Sequence, residues 1–159
     1  MEKTSTLSLD KTDIQLLELL QHDALLTNKE LADKLGKTVT PIYERVRRLE
    51  RDGFILRYCA LLNKNKIGRS LVAFTNVQLK QHAHEILLSF EKSIVEFEEV
   101  MECYHLTGNY DYLLKVVVAD IPAYQDFIVN KLARLADIGT VQSSFVMTEV
   151  KHETAFRMR

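Results

Sequence analysis

The stretch that decides the fold is Thr38–Phe54, "TVTPIYERVRRLERDGF". At 100° per residue Ile42, Val46 and Leu49 fall within about 60° of one another, which predicts an amphipathic helix. Thr38 or Thr40 can cap it, and Gly53 ends it. Pro41 is acceptable in the first turn, where backbone N–H groups lack internal partners. Thr40, Tyr43, Glu44, Arg47 and Arg51 point away from the apolar face, and Arg45 and Arg48 flank it. A helix this basic needs explaining, because the chain as a whole carries a net charge of −1.

The charge is unevenly spread. Residues 34–66 hold 9 basic and 3 acidic side chains, whereas residues 1–33 hold 3 and 7, and residues 67–159 hold 9 and 12. A positive block inside an acidic protein predicts a polyanionic partner.

Two shorter helices precede that block. "LDKTDIQLLELLQHD" (9–23) has Asp10 as cap, Asp13 in the first turn and a Leu9–Ile14 hydrophobic staple. Ile14, Leu17 and Leu20 line its predicted core face. "TNKELADKLG" (27–36) opens with a Thr27–Glu30 capping box and closes at Gly36, a residue that tolerates positive φ. Leu31 and Leu35 share a face, and Ala32 allows close packing. Two helices joined by a short Gly-containing turn, behind a covering helix, form a helix-turn-helix. Its second helix carries hydroxyl and basic groups, as a major-groove reader does. Thr40, Tyr43, Glu44 and Arg47 are the predicted base readers. Lys37, Arg45, Arg48 and Arg51 are the predicted phosphate contacts, and Thr38 borders them. The same spacing also allows ordinary surface pairs, Glu44 with Arg48 and Arg47 with Glu50.

Past Phe54 the hydrophobic period changes. "FILRYCALLN" (54–63) reads as a strand within a linker, 54–68. "SLVAFTNVQL" (70–79) alternates, with Leu71, Ala73, Thr75, Val77 and Leu79 on one side. "HEILLSFEKSI" (84–94) has helical spacing. "VEFEEVMECYHL" (95–106) alternates from Phe97 to Cys103, "TGNYD" (107–111) is a turn, and "YLLKVVV" (112–118) is a buried strand. "DIPAYQDFIVNKLARL" (120–135) reads as a helix with Asp120 as cap and Pro122 in the first turn. "DIGTVQSSFVMTEV" (137–150) reads as turn then strand. The class is therefore α+β: a winged-helix-like helix-turn-helix domain at 9–53, and a ferredoxin-like βαββαβ domain at 69–152. One face of such a sheet lies under its helices, and the other, partly apolar here, predicts oligomerisation.

The segments from Leu9 to Ile55 and from Tyr104 to Val118 resemble the Lrp/AsnC family of transcriptional regulators, most specifically in "ERVRRLERDGFI" and "TGNYDYLL". The family's leucine-responsive members often carry Asp where this chain has Asn109, and Pro where it has Val39. The resemblance implies double-stranded DNA as partner and a homodimer assembling to an octamer through the sheet domain. It also implies a small amino acid, leucine or another apolar one, bound between dimers. The implied effector site comprises Tyr104, His105, Leu106, Thr107, Gly108, Asn109, Tyr110 and Asp111, with Ile121 facing that turn, and Ser144, Phe145 and Val146 on the last strand. The residues fit such a ligand: Asp111 for the ammonium, backbone N–H groups at Gly108 and Asn109 for the carboxylate, and Leu106, Ile121 and Phe145 for an apolar wall. "GNYD" also reads as a plain hairpin turn whose Asn and Asp serve the backbone.

An enzyme is the alternative, because similar folds include haem-precursor decarboxylases. His22, His82, His84, His105 and His152 form no acid-base constellation, and no nucleophile motif, P-loop or zinc spacing is present. No metal or cofactor is expected. Cys59 and Cys103 are expected to be reduced core residues of a cytoplasmic protein. No apolar run reaches the roughly 20 residues of a membrane helix. The polar start "MEKTSTLS" carries no apolar h-region, so no signal peptide is expected.

Overall fold

The structure is a computed structural model that describes residues 8–158; the polar start otherwise lies outside the described residues. The chain forms two units. One runs to Leu61 and takes in the chain from Lys151 onward, and the other spans Leu62–Val150.

The first unit contains α1 (Lys11–His22), α2 (Asn28–Leu35) and α3 (Val39–Arg51). Each of the first two helices starts with a complete capping box, Asp10 with Asp13 and Thr27 with Glu30. Gly36 closes α2 at φ +62, a conformation that costs a residue bearing Cβ far more than glycine. The core joins Leu16, Leu17 and Leu20 of α1 to Leu31 and Ala32 of α2 and to Ile42, Val46 and Leu49 of α3. On α1 the fully buried residue is Leu16 where Ile14 was expected, and Ile14 is only half-buried. The stripe is rotated toward Asp13, which is 1 % exposed. The C-terminal chain adds to this unit: Met158 packs on its core, and the Gln21 side chain both donates to the Phe156 carbonyl and accepts from the Phe156 N–H.

The expected strand at 54–63 does not form. The segment bends at Phe54–Ile55 and then runs without ladder partners, and Leu56 is 90 % exposed. A strand exists only where a neighbour takes its backbone groups, and among the described residues no such neighbour lies beside it. A turn follows, in which Asn63 Oδ1 accepts the N–H groups of Asn65 and Lys66. Cys59 is exposed, contrary to the core expectation, whereas Cys103 is half-buried against the sheet core. Burial pushes the Cys103 thiol up to about 11.

The second unit is a four-stranded antiparallel sheet in the order β2-β3-β1-β4. It is built from β1 (Leu71–Leu79), α4 (His84–Ile94), β2 (Val100–His105), β3 (Tyr112–Val118), α5 (Ile121–Asp126) and β4 (Ile138–Phe145). This is the ferredoxin-like arrangement. β2 begins at Val100, not near Phe97, because Phe97 and Val100 first close a turn. β4 ends at Phe145 rather than running to Val150. The helix after β3 changes pitch, widening to a π turn at Phe127–Lys131 and tightening to a 3-10 turn at Leu132–Arg134. Phe127 and Leu132 are both 0 % exposed, five residues apart. A regular α-helix would separate them by about 140°, and the wider turn returns Leu132 to the core face.

Val77, Leu79, Phe90, Tyr112, Leu114, Val116, Phe127 and Leu132 fill the space between sheet and helices. Thr75, the buried polar residue among them, shares a hydrogen bond with the Tyr124 hydroxyl at 2.8 Å, and that hydroxyl also meets Ser143 Oγ. The strand register places Phe74, Lys115 and Ser144 together on the opposite, helix-free face.

Candidate functional site

On α3 the structure sorts the basic residues into two sets. Thr40, Tyr43, Glu44, Arg47 and Arg51 are exposed on the face away from Ile42, Val46 and Leu49, with Lys37 and Thr38 exposed just ahead of the helix. Thr38 occupies the cap position, but its side chain makes no capping hydrogen bond. Arg51 Nε lies 2.9 Å from Asp52 Oδ1.

Arg45 and Arg48, expected with Lys37 and Arg51 to contact phosphates, are paired here with carboxylates of α1. Arg45 Nη1 donates to Asp10 Oδ2 at 2.6 Å and to Asp13 Oδ1 at 2.7 Å. Arg48 Nη2 donates to Asp13 Oδ2 at 2.5 Å. The Asp13 N–H and then Arg45 hold the Asp10 carboxyl below its ordinary range, and Asp10 and Asp13 together raise the Arg45 guanidinium. Sequence spacing had offered Glu44 to Arg48 and Glu50 to Arg47. Glu50 instead accepts from the Tyr58 hydroxyl at 3.0 Å. Desolvation first, then that hydrogen bond, pushes Tyr58 up to about 12. The missed signal was Asp13 itself, an acid on the core side of α1.

In the second unit, Tyr104 to Asp111 form the end of β2 and the turn into β3. Gly108 takes φ +119, in the left-handed region that favours glycine. The turn is closed by the Leu106 N–H on the Asp111 carbonyl and by the Asp111 N–H on the Val77 carbonyl. The Asp111 side chain is 15 % exposed and engaged at both oxygens: Oδ2 accepts the Leu79 N–H at 2.7 Å, and Oδ1 lies 2.9 Å from His82 Nε2. His82 was not singled out from the sequence for this turn; it lies on the loop after β1. The His105 ring stacks on Tyr112 at 4.8 Å, and the Tyr104 hydroxyl donates to Glu102. The Tyr110 hydroxyl meets Gln142 Oε1 on β4. Thr107, Gly108 and Asn109 are exposed.

Within one chain Ile121 lies away from this turn. The turn precedes Tyr112, at one end of β3, and Ile121 follows Val118 at the other. Seven strand residues at about 3.3 Å each put roughly 20 Å between the two ends. Phe145 pairs in register with Ala73, near the Val118 end, and its ring meets Tyr124 edge-on at 4.9 Å. Ile121 and Phe145, 51 % and 43 % exposed, therefore sit at one end of the sheet, and the turn sits at the other. Ser144 lies on the helix-free face, and the Val146 N–H is bonded to the Val72 carbonyl.

A helix-turn-helix unit with an outward basic helix, followed by a ferredoxin-like sheet, defines a DNA-binding regulator with a separate ligand domain. Comparison with known proteins agrees: residues 9–55 match the winged helix-turn-helix DNA-binding family, and residues 72–156 match the Lrp/AsnC ligand binding domain. The chain belongs to the Lrp/AsnC family of transcriptional regulators. It is 40 % identical over 143 residues to the leucine-responsive regulatory protein of Escherichia coli K12, covering 90 % of this chain and 87 % of that one. The leucine-responsive regulatory protein of Klebsiella pneumoniae matches equally. Among solved structures, a Neisseria meningitidis transcriptional regulator in complex with L-Met superposes with TM-score 0.90 at 35 % identity, covering 94 % of this chain and 97 % of that chain. An AsnC family regulator from Agrobacterium tumefaciens gives 0.89 at 37 %, with the same coverage. These relatives are transcriptional regulators, so the decarboxylase alternative is set aside. Among the described residues no helix is long and apolar enough to cross a membrane.

Proposed function

We propose that this protein is a cytoplasmic regulator whose α3 reads DNA and whose assembly or DNA affinity responds to a small apolar amino acid, leucine or methionine in the first instance. Thr40, Tyr43, Glu44 and Arg47 contact base edges in the major groove, and Lys37, Thr38 and Arg51 contact phosphates. The observation that carries this reading is the sorting on α3. The exposed face keeps its hydroxyl and basic groups outward, while the flanking arginines are held by carboxylates of α1.

The effector binds between copies of the chain. The turn at 104–111 and the apolar pair Ile121 and Phe145 sit at opposite ends of one sheet, so a ligand touching both draws them from two subunits. A homodimer through the helix-free sheet faces, assembling further to an octamer, supplies that arrangement. The ligand carboxylate takes the backbone N–H groups at Gly108 and Asn109. Its ammonium takes Asp111 Oδ1 in place of His82, whose side chain is 61 % exposed and free to swing out. Asn109 adds no charge, so the ammonium depends on Asp111. Calorimetric titration with leucine and methionine tests this. Asp111→Asn is expected to weaken binding roughly ten- to a hundredfold, the cost of about 1.5–3 kcal/mol for a charge-assisted hydrogen bond. His82→Ala is expected to keep or improve binding. Equal affinity in wild type and Asp111→Asn would place the ligand elsewhere.

A further inference from the structure

The clamp formed by Asp10, Asp13, Arg45 and Arg48 is more than a fold contact. Asp13 is 1 % exposed, and its two oxygens go to two different arginines of α3. The arginines themselves remain 32 % and 42 % exposed along their side chains. They stand three residues apart, about 60° on the wheel, along one flank of α3 beside its outward face. A guanidinium on that flank, if released, has the length and charge to reach a phosphate of any sequence.

We propose that Asp13 is a specificity-determining positioning residue: it withholds Arg45 and Arg48 from indiscriminate phosphate binding and fixes α3 against the start of α1. Two consequences follow from the chemistry. Neutralising two of the four α3 arginines lowers the sequence-independent part of the affinity, which comes from counterion release. Pinning two points one helical turn apart fixes the rotation of α3 about its axis, and that rotation decides which side chains meet base edges. Asp10 contributes the outer half of the clamp. It bonds Arg45 and caps α1 through the Asp13 N–H at 2.9 Å, so the cap and the clamp share atoms.

The proposal rests on α3 being the reading helix, and the test separates the two. Affinity is measured by fluorescence anisotropy across a salt series. The probes are a random-sequence duplex and a duplex enriched from a random library by the wild-type protein. For Asp13→Asn the salt slope on the random duplex is expected to steepen by about 0.9 for each phosphate newly contacted, up to about two units. The ratio of enriched-to-random affinity is expected to fall. Adding Arg45→Gln and Arg48→Gln to that variant is expected to return the slope to the wild-type value, which a general loosening of the unit would not do. Asp10→Asn keeps the cap, since Asn caps as well as Asp, and, because Arg45 retains Asp13, is expected to steepen the slope by a fraction of one unit. Circular dichroism checks folding, and if Asp13→Asn does not fold, Asp10→Asn decides. A slope unchanged or shallower in the folded variants overturns the clamp. No measurable DNA binding by the wild type at any salt would instead overturn the α3 reading.

Discussion

The outward face of α3 and the turn at 104–111 were legible to very different depths, although each carries charged residues that a binding site would use. On α3, helical period alone sends Arg47 and Arg51 outward, and both are exposed. In the turn, the acid expected to face a ligand is engaged by the Leu79 N–H and by His82, groups about thirty residues earlier in the chain. The difference lies in what fixes side-chain direction. A helix fixes side-chain direction by its own geometry. A turn does not, and its side chains go wherever the nearest unsatisfied group lies.

That contrast can be attacked from several sides. The largest effect is expected from Phe127→Ala, which empties a fully buried ring site in the sheet unit. Chemical denaturation should register a loss of about 3–5 kcal/mol. A loss under 1 kcal/mol would mean that the π turn at Phe127–Lys131 is not packed as described. Next is a complementation experiment on the ligand site. Ile121→Asp and Asp111→Asn are each expected to lose amino-acid binding, and mixed assemblies of the two are expected to regain part of it. Complete absence of recovery, with mixing verified, would put both half-sites in one subunit and contradict the placement at opposite sheet ends. The smallest effect belongs to the local signals. Thr27→Ala should cost about 1 kcal/mol by removing the cap of α2. The Thr27 N–H, then its hydroxyl, hold the Glu30 carboxyl below its ordinary 4.5. The stabilisation from ionised Glu30 is therefore fully present above that value and is lost as pH falls through the lower, folded-state value. A stability difference between wild type and Glu30→Gln that stays constant from pH 7 to about pH 2 would remove the Glu30 charge from the cap.

The three helices of the first unit, the capping boxes, Gly36 and the strand "YLLKVVV" were readable because their determinants lie within a few residues. So was the βαββαβ order, since alternation and helical period change visibly along the chain. Four features were hidden because nothing within a few residues signals them. The segment at 54–63 has strand composition but no backbone partner. The helix after Asp120 changes pitch to keep Leu132 in the core. Arg45 and Arg48 turn to Asp10 and Asp13, more than thirty residues away. The chain after Lys151 returns to the first unit through Gln21 and Met158, a pairing no local pattern announces. One clue was present in the sequence: an aspartate in the first turn on the core side of α1 has to find a cation.

If the outward face of α3 binds DNA with sequence preference, Arg47→Ala and Arg51→Ala differ in kind. Both are titrated across a salt series on the duplex enriched by the wild-type protein and on a random duplex. Arg47→Ala is expected to lose about 1–3 kcal/mol on the enriched duplex with a much smaller loss on the random one. Arg51→Ala is expected to weaken both about equally and to flatten the salt slope by about one unit. Wild-type affinity on both duplexes in both variants would contradict DNA binding by that face.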